Sequence, residues 1–349
     1  MDTLKSVGIN PNGMVGQSMD GAGNMRDRYN GLKSVVLREC PRAFYVWCCS
    51  HRFALVVEKF TDVCPQMRNM FSLLQEIYVF MSGHRRHHML VDNLKNGLAQ
   101  NKMKRLKRVQ TTRWSSKSDS LKTVLTCYET IKQTLEKICL DNKSDNNTKA
   151  SAKGLIKSVS DYENICAMHI ASALVKVLSP ITICLQAKSV YYGMIPAVIS
   201  ETREKLEALR SEKEWDKLKI SITQFSDQHN ISQVPTQRNR RRKRFMDELS
   251  IDETTNDAVK KMKTKVYYLV LDSILSQLND RFSYSSLAMV KQMSHFSHGG
   301  IMKITHQLAT GKGFNPDMIK ELCEYYNLDN DIIASELETF CNMYMTLTH

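Results

Sequence analysis

The stretch MVGQSMDGAGNMRDRYNGLKSVVLRECPRAFYVWCCSHRFALVVEKF, residues 14–60, decides the fold class. After the turn GINPNG, MVGQSMD reads as a short strand that ends at Asp20. In NMRDRYNGLKSVVLREC the apolar residues Met25, Tyr29, Leu32, Val35 and Val36 recur at close to helical spacing, and Pro41 stops the run. AFYVWCC is aromatic and β-branched, which predicts a buried strand, and SHRFALVVEKF leaves it as a helix with Ser50 as N-cap. The order strand, helix, strand, helix predicts an α/β layer with a parallel component.

Beyond about residue 65 the period changes. MRNMFSLLQEIYVFMSG and everything after it keep helical periodicity with almost no alternation, so the remainder reads as all-α. Helices are expected over 119–139, 150–178, 194–210, 213–229, 254–282 and 316–346, with breaks at DNKSDNNTK, SPIT and SHGGIMKITHQLATGKGFNP. The expected division is therefore a strand-helix-strand-helix segment over 1–64, a helical region over 65–232, an exposed linker over 233–258 and a helical part over 259–349. In the linker, Arg238, Arg240, Arg241, Arg242, Lys243 and Arg244 precede an acidic patch, and self-repulsion predicts an exposed loop. Such a run serves as a nuclear import signal, a phosphate-contacting arm or a merely solvated charge cluster.

The 349 residues are 42% hydrophobic and 24% charged, an ordinary globular balance, with a formal charge of +13. That excess favours a polyanionic partner, because each cation that neutralises a phosphate releases condensed counterions; an inert basic surface is the plain alternative. The ten cysteines form no framework of a small secreted domain, so reduced thiols in a cytosolic or nuclear setting are expected. No apolar run of about 18 residues and no signal-peptide pattern is apparent, so a soluble intracellular protein with no membrane partner is expected.

Asp20 stands where open α/β sheets keep their chemistry, outside the carboxyl end of a strand. It suits a Mg²⁺ ligand, but a two-metal phosphoryl-transfer site needs several carboxylates around ions about 4 Å apart. The competing reading of SMDGAGNM is a turn in which Asp20 accepts helix N–H groups. Trp114, next to Arg113 and Lys117 and close to NKMKRLKR (101–108, with Lys104, Arg105, Lys107 and Arg108), offers a base-stacking face beside phosphate contacts, or else a core aromatic. Cys48 and His51 lack the second ligand pair a structural zinc site needs, which leaves a buried thiol and a hydrogen-bonded histidine. GHRRHH (83–88) reads as a metal-binding run or as a positive helix terminus or loop.

Five stretches occur in order: GQSMDGAGNM, YNGLKSVV, YVWCCSHRFALVVEKF, LLQEIYVFMSGHRRH and TTRWSSKSDSL. Together they resemble the transposase domain of the hAT superfamily, over about residues 13–346. The resemblance implies a partial RNase H-like α/β core with a large helical insertion. It implies that Asp20 matches the second catalytic carboxylate, that Cys48 and His51 match a C-x-x-H motif, and that Arg113 and Trp114 match an Arg-Trp motif whose tryptophan stacks on a flipped base in active members. The first carboxylate of such enzymes has no counterpart upstream of GQSMDGA, and ASELETF does not match the motif that carries the third.

The expectation is a domesticated or truncated, catalytically inactive relative, with Mg²⁺ relevant only to a complete site, acting in the nucleus on DNA with chromatin proteins as further partners. Two alternatives stand beside it. One is a helical interaction scaffold with no affinity for nucleic acid. The other is an active Mg²⁺-dependent enzyme with a substitute triad such as Asp20, Glu58 and Asp62.

Overall fold

The computed structural model describes residues 6–26, 30–96, 106–109, 114–186, 192–233 and 258–348. Two strands, β1 (Gly16–Met19) and β2 (Phe44–Trp47), pair in parallel with Gly16 opposite Phe44 and Met19 opposite Trp47. The Phe44 N–H donates to the Val15 carbonyl and the Cys48 N–H to the Met19 carbonyl, so the ladder runs one residue past each end. The crossover contains a single helical turn at Gly23–Arg26 and helix α1 (Leu32–Glu39). The long helix expected here is interrupted because Asn30 and Gly31 favour a turn. Val36, Cys40 and Ala43 form the buried cluster beneath the pair, with Met14 and Met19 packed against it.

Helix α2 (Cys49–Asp62) leaves β2 directly. Ser50 is not its N-cap: the Cys48 carbonyl already accepts the Arg52 N–H at 3.0 Å, so the helix begins earlier and Ser50 lies in its first turn. Helices α3 (Pro65–Met81), α4 (His84–Asn96), α5 (Trp114–Thr126), α6 (Tyr128–Leu140), α7 (Asn146–Val159) and α8 (Tyr162–Gln186) follow. Helix 119–139 is thus two helices meeting at Cys127, and the break at DNKSDNNTK is real, closed by Asp145 accepting the Thr148 N–H at 2.8 Å.

At SPIT no break occurs, since Pro180 lies inside α8. A proline there costs about 3 kcal/mol, yet Leu178 and Ile181 on either side are almost fully buried, and that packing outweighs the lost hydrogen bond. By length and composition, Tyr162–Leu185 is long and apolar enough to cross a membrane, contrary to the expectation of no apolar run of about 18 residues. Half of that window is buried inside the fold, as befits a core helix, and Ile165, Ala167, Met168, Ile170, Ala171 and Leu174 are fully covered.

The chain continues with α9 (Ile195–Leu209), α10 (Glu212–Gln228), α11 (Ala258–Met262), a π-helical turn (Lys263–Tyr268) and α12 (Leu269–Arg281). Then come α13 (Tyr284–Ser294), α14 (His298–Ala309), α15 (Lys320–Tyr326) and α16 (Asn330–Thr348). The glycine-rich joint SHGGIMKITHQLA is therefore helix α14, begun by Ser297 accepting the Gly300 N–H. A Cβ on Gly300 would lie 2.1 Å from the Ser294 carbonyl oxygen, so this glycine permits a close backbone approach rather than ending a helix.

The described residues are thus mainly helical with one small parallel sheet. The chain divides into two compact units: unit 1 comprises Met1–Leu55, Ile181–Arg203 and Gln277–His349, and unit 2 comprises Val56–Pro180 and Glu204–Ser276. All ten cysteines are free thiols.

Candidate functional site at the strand ends

Because β1 and β2 are parallel and in register, Asp20 and Cys48 leave the same end of the sheet. Asp20 is exposed, and its Oδ1 accepts the Ala22 N–H at 3.1 Å, an Asx turn that bends the chain toward Gly23–Arg26. Of the two readings of Asp20, Mg²⁺ ligand and turn, this hydrogen bond matches the turn. Gly21 is required here: a Cβ would stand 2.7 Å from the Trp47 indole nitrogen. Cys48 is half-buried and bridges strand to helix, its N–H on the Met19 carbonyl and its own carbonyl accepting from Arg52. His51 is half-buried in the first turn of α2.

Behind these residues lies a layer that the sequence did not reveal. Arg52 is 3% exposed, with its guanidinium 5.5 Å from the Trp47 ring and 4.7 Å from the Phe282 ring. Arg281 approaches the same indole at 5.9 Å. Burial lowers the Arg52 pKa, opposed by the neighbouring Cys49, and burial raises the Cys49 thiol, opposed by Arg52. Arg52 had a legible signal, one helical turn after Cys48. Nothing local to 281–282 places those residues beside it.

Among the described residues no three of His, Cys, Asp and Glu gather as a metal-binding group. Glu58 and Asp62, the carboxylates of the substitute triad, instead act on Lys117, whose ammonium they favour against the burial that lowers its pKa. Lys117 is 7% exposed, with Nζ 3.5 Å from Thr61 Oγ1 and 5.7 Å from the Phe71 ring. It is therefore a buried support of unit 2 and not an exposed phosphate contact.

Of the proposed nucleic-acid contacts, Lys107 and Arg108 are exposed; Lys107 pairs with Asp119, and the segment is tied to α3 by the Val109 N–H on Gln75 Oε1 at 2.9 Å. Trp114 opens helix α5. Lys104, Arg105, Arg113 and the run Arg238, Arg240, Arg241, Arg242, Lys243 and Arg244 lie outside the described residues. In GHRRHH, which enters α4, Arg85 pairs with Asp141 at 2.7 Å and Arg86 donates to the Phe80 carbonyl, so both are engaged structurally.

No family model matches this chain, and no solved structure matches it.

Proposed function

We propose that the chain is a transposase-derived protein of hAT type, catalytically inactive, that acts in the nucleus by binding DNA and chromatin proteins. The observation that carries this reading is the ordered series of five sequence stretches, of which GQSMD and CCSH leave the same end of one parallel strand pair. A partial RNase H-like core with a helical insertion is the architecture this reading assigns. The likeness is to vertebrate transposase-derived proteins such as zinc finger MYM-type protein 1.

The donor set supports the inactive reading. Asp20 is one carboxylate where two-metal chemistry needs several, and its described neighbours do not fit a pair of Mg²⁺ ions. Charge supports DNA affinity: +13 overall, with Lys107 and Arg108 exposed and the basic run beyond residue 237 as the import signal or phosphate arm.

Two assays on the full chain test this. Affinity for duplex DNA should fall steeply from low to moderate salt, and Lys107→Gln with Arg108→Gln should lower the log–log slope by about 2, close to one per phosphate contact. Mg²⁺-dependent cleavage of hairpin or terminal-repeat DNA should be absent, and turnover that disappears in Asp20→Ala would overturn the reading. A helical interaction scaffold is the second reading, favoured by Ile332, Phe340 and Met343 standing exposed on α16. Failure to bind duplex DNA even at low salt selects it.

A further inference from the structure

Unit 1 contains a cavity of about 310 Å³ formed by α9, the end of α12 and α13, apart from the strand-end residues. Arg203 and Lys291 line it with the Asn279 amide and the Ser200 hydroxyl. Arg203 Nε is buried and makes no hydrogen bond to any described residue. None of the described lining residues carries a carboxylate, so the walls hold two formal positive charges with no counter-charge. Ser283 lines it as well, and the remaining wall is apolar, with Ile199, Phe282 and Leu287 each almost fully buried.

A buried cationic N–H without an acceptor is costly, and an anion entering the cavity removes that cost. Guanidinium presents a planar fork suited to phosphate oxygens, while the Lys291 ammonium adds a second point charge. Two cations match a phosphate monoester, which carries about −1.5 to −2 near neutral pH, better than they match a carboxylate. The volume lies at the small end of ligand sites, about 300–1,000 Å³, which leaves space for the phosphate and one modest apolar group.

We propose that this cavity binds a small phosphate monoester, with Arg203 and Lys291 holding the phosphate and Ile199, Phe282 and Leu287 covering its organic group. A free ester and the 5′-phosphate of a nucleic-acid end share this chemistry. The proposal is independent of duplex binding and survives its failure.

The test is calorimetric titration of the full chain with phenyl phosphate, inorganic phosphate and benzoate at low ionic strength. Phenyl phosphate should saturate a single site and bind about tenfold or more tighter than benzoate. Arg203→Gln and Lys291→Gln should each weaken it about tenfold or more, while Arg42→Gln on the exposed surface should leave it unchanged. Lys291 is exposed, so its variant keeps the fold and carries the test if Arg203→Gln does not fold. Ala288→Leu, which fills the cavity without removing a cation, should also abolish binding. Displacement of phenyl phosphate by a 5′-phosphorylated trinucleotide, and not by its 5′-hydroxyl counterpart, identifies a nucleic-acid end as the source; displacement by neither identifies a free ester. No saturable binding of phenyl phosphate, equal affinity for benzoate, or affinity unchanged by Lys291→Gln overturns the proposal.

Discussion

Unit 2 holds the bulkiest fully buried side chains, among them Tyr128, Tyr267, Phe60, Met67, Met70 and Ile138. In unit 1 the clusters are small: Val36 with Cys40 and Ala43, Ile304 with Leu337 and Cys341, and Ile319 with Cys323 and Ala334. There Phe296, Met302, Leu328, Ile332, Phe340 and Met343 remain between 42% and 59% exposed. The difference accompanies segmentation: unit 1 is assembled from three separate segments and unit 2 from two, although unit 2 also closes over long sequence separations, with Tyr128 packed on Phe225. The sheet, the strand-end residues and the cationic cavity all belong to the less consolidated unit.

The same substitution in each core tests that contrast most severely. Leu135→Ala, at a fully buried site in unit 2, should cost about 4 kcal/mol, and Leu337→Ala in unit 1 about 2 kcal/mol, measured by urea unfolding. Equal losses would break the comparison. Gly300→Ala should cost about 3 kcal/mol, because its Cβ meets a backbone oxygen at 2.1 Å that no side-chain rotation relieves. Hydrogen exchange should report the loosening in α14 and α16 and leave the helices of unit 2 protected.

A pH dependence belongs to unit 2. His169 is held neutral there, its pKa pushed down to about 4 from an ordinary 6.5, first by burial and then by the Lys176 charge. Its Nδ1 lies 3.4 Å from Ser221 Oγ, and its ring packs edge-on against Phe225. The unfolded chain binds the extra proton between these two values, so stability present above pH 6.5 is lost as the pH falls toward 4. At pH 5 the loss should be about 2 kcal/mol, and His169→Gln should flatten the profile over that range. The smallest effect is expected at Asp20→Ala, which removes one exposed Asx hydrogen bond and should cost about 1 kcal/mol, read as a slight drop in melting temperature.

β2 is legible as an aromatic and β-branched run, and β1, which has neither residue type, is legible from its place between the turn at Pro11–Gly13 and Asp20. The misreadings have definite causes. Gly299 and Gly300 look like breakers, but Gly300 lies against the Ser294 and His295 backbone at the tight turn from α13 into α14, a local close approach that composition does not show. Pro180 looks like a stop, but buried neighbours on both sides carry the helix through it. Lys117 looks like a surface cation, and its position on the inner face of α5 became visible only with Thr61 and Phe71 beside it. Arg52 could be read from its helical spacing, whereas its aromatic partner Phe282 is far away in sequence and leaves no local trace.

The interleaving of the two units also bears on synthesis. A nascent chain exposes residues up to Leu55 while unit 2 is still being translated, and their partners in Gln277–His349 emerge only after it. At ordinary ribosomal speed that interval is on the order of tens of seconds, long enough for a chaperone to occupy the waiting β1–α1–β2 segment.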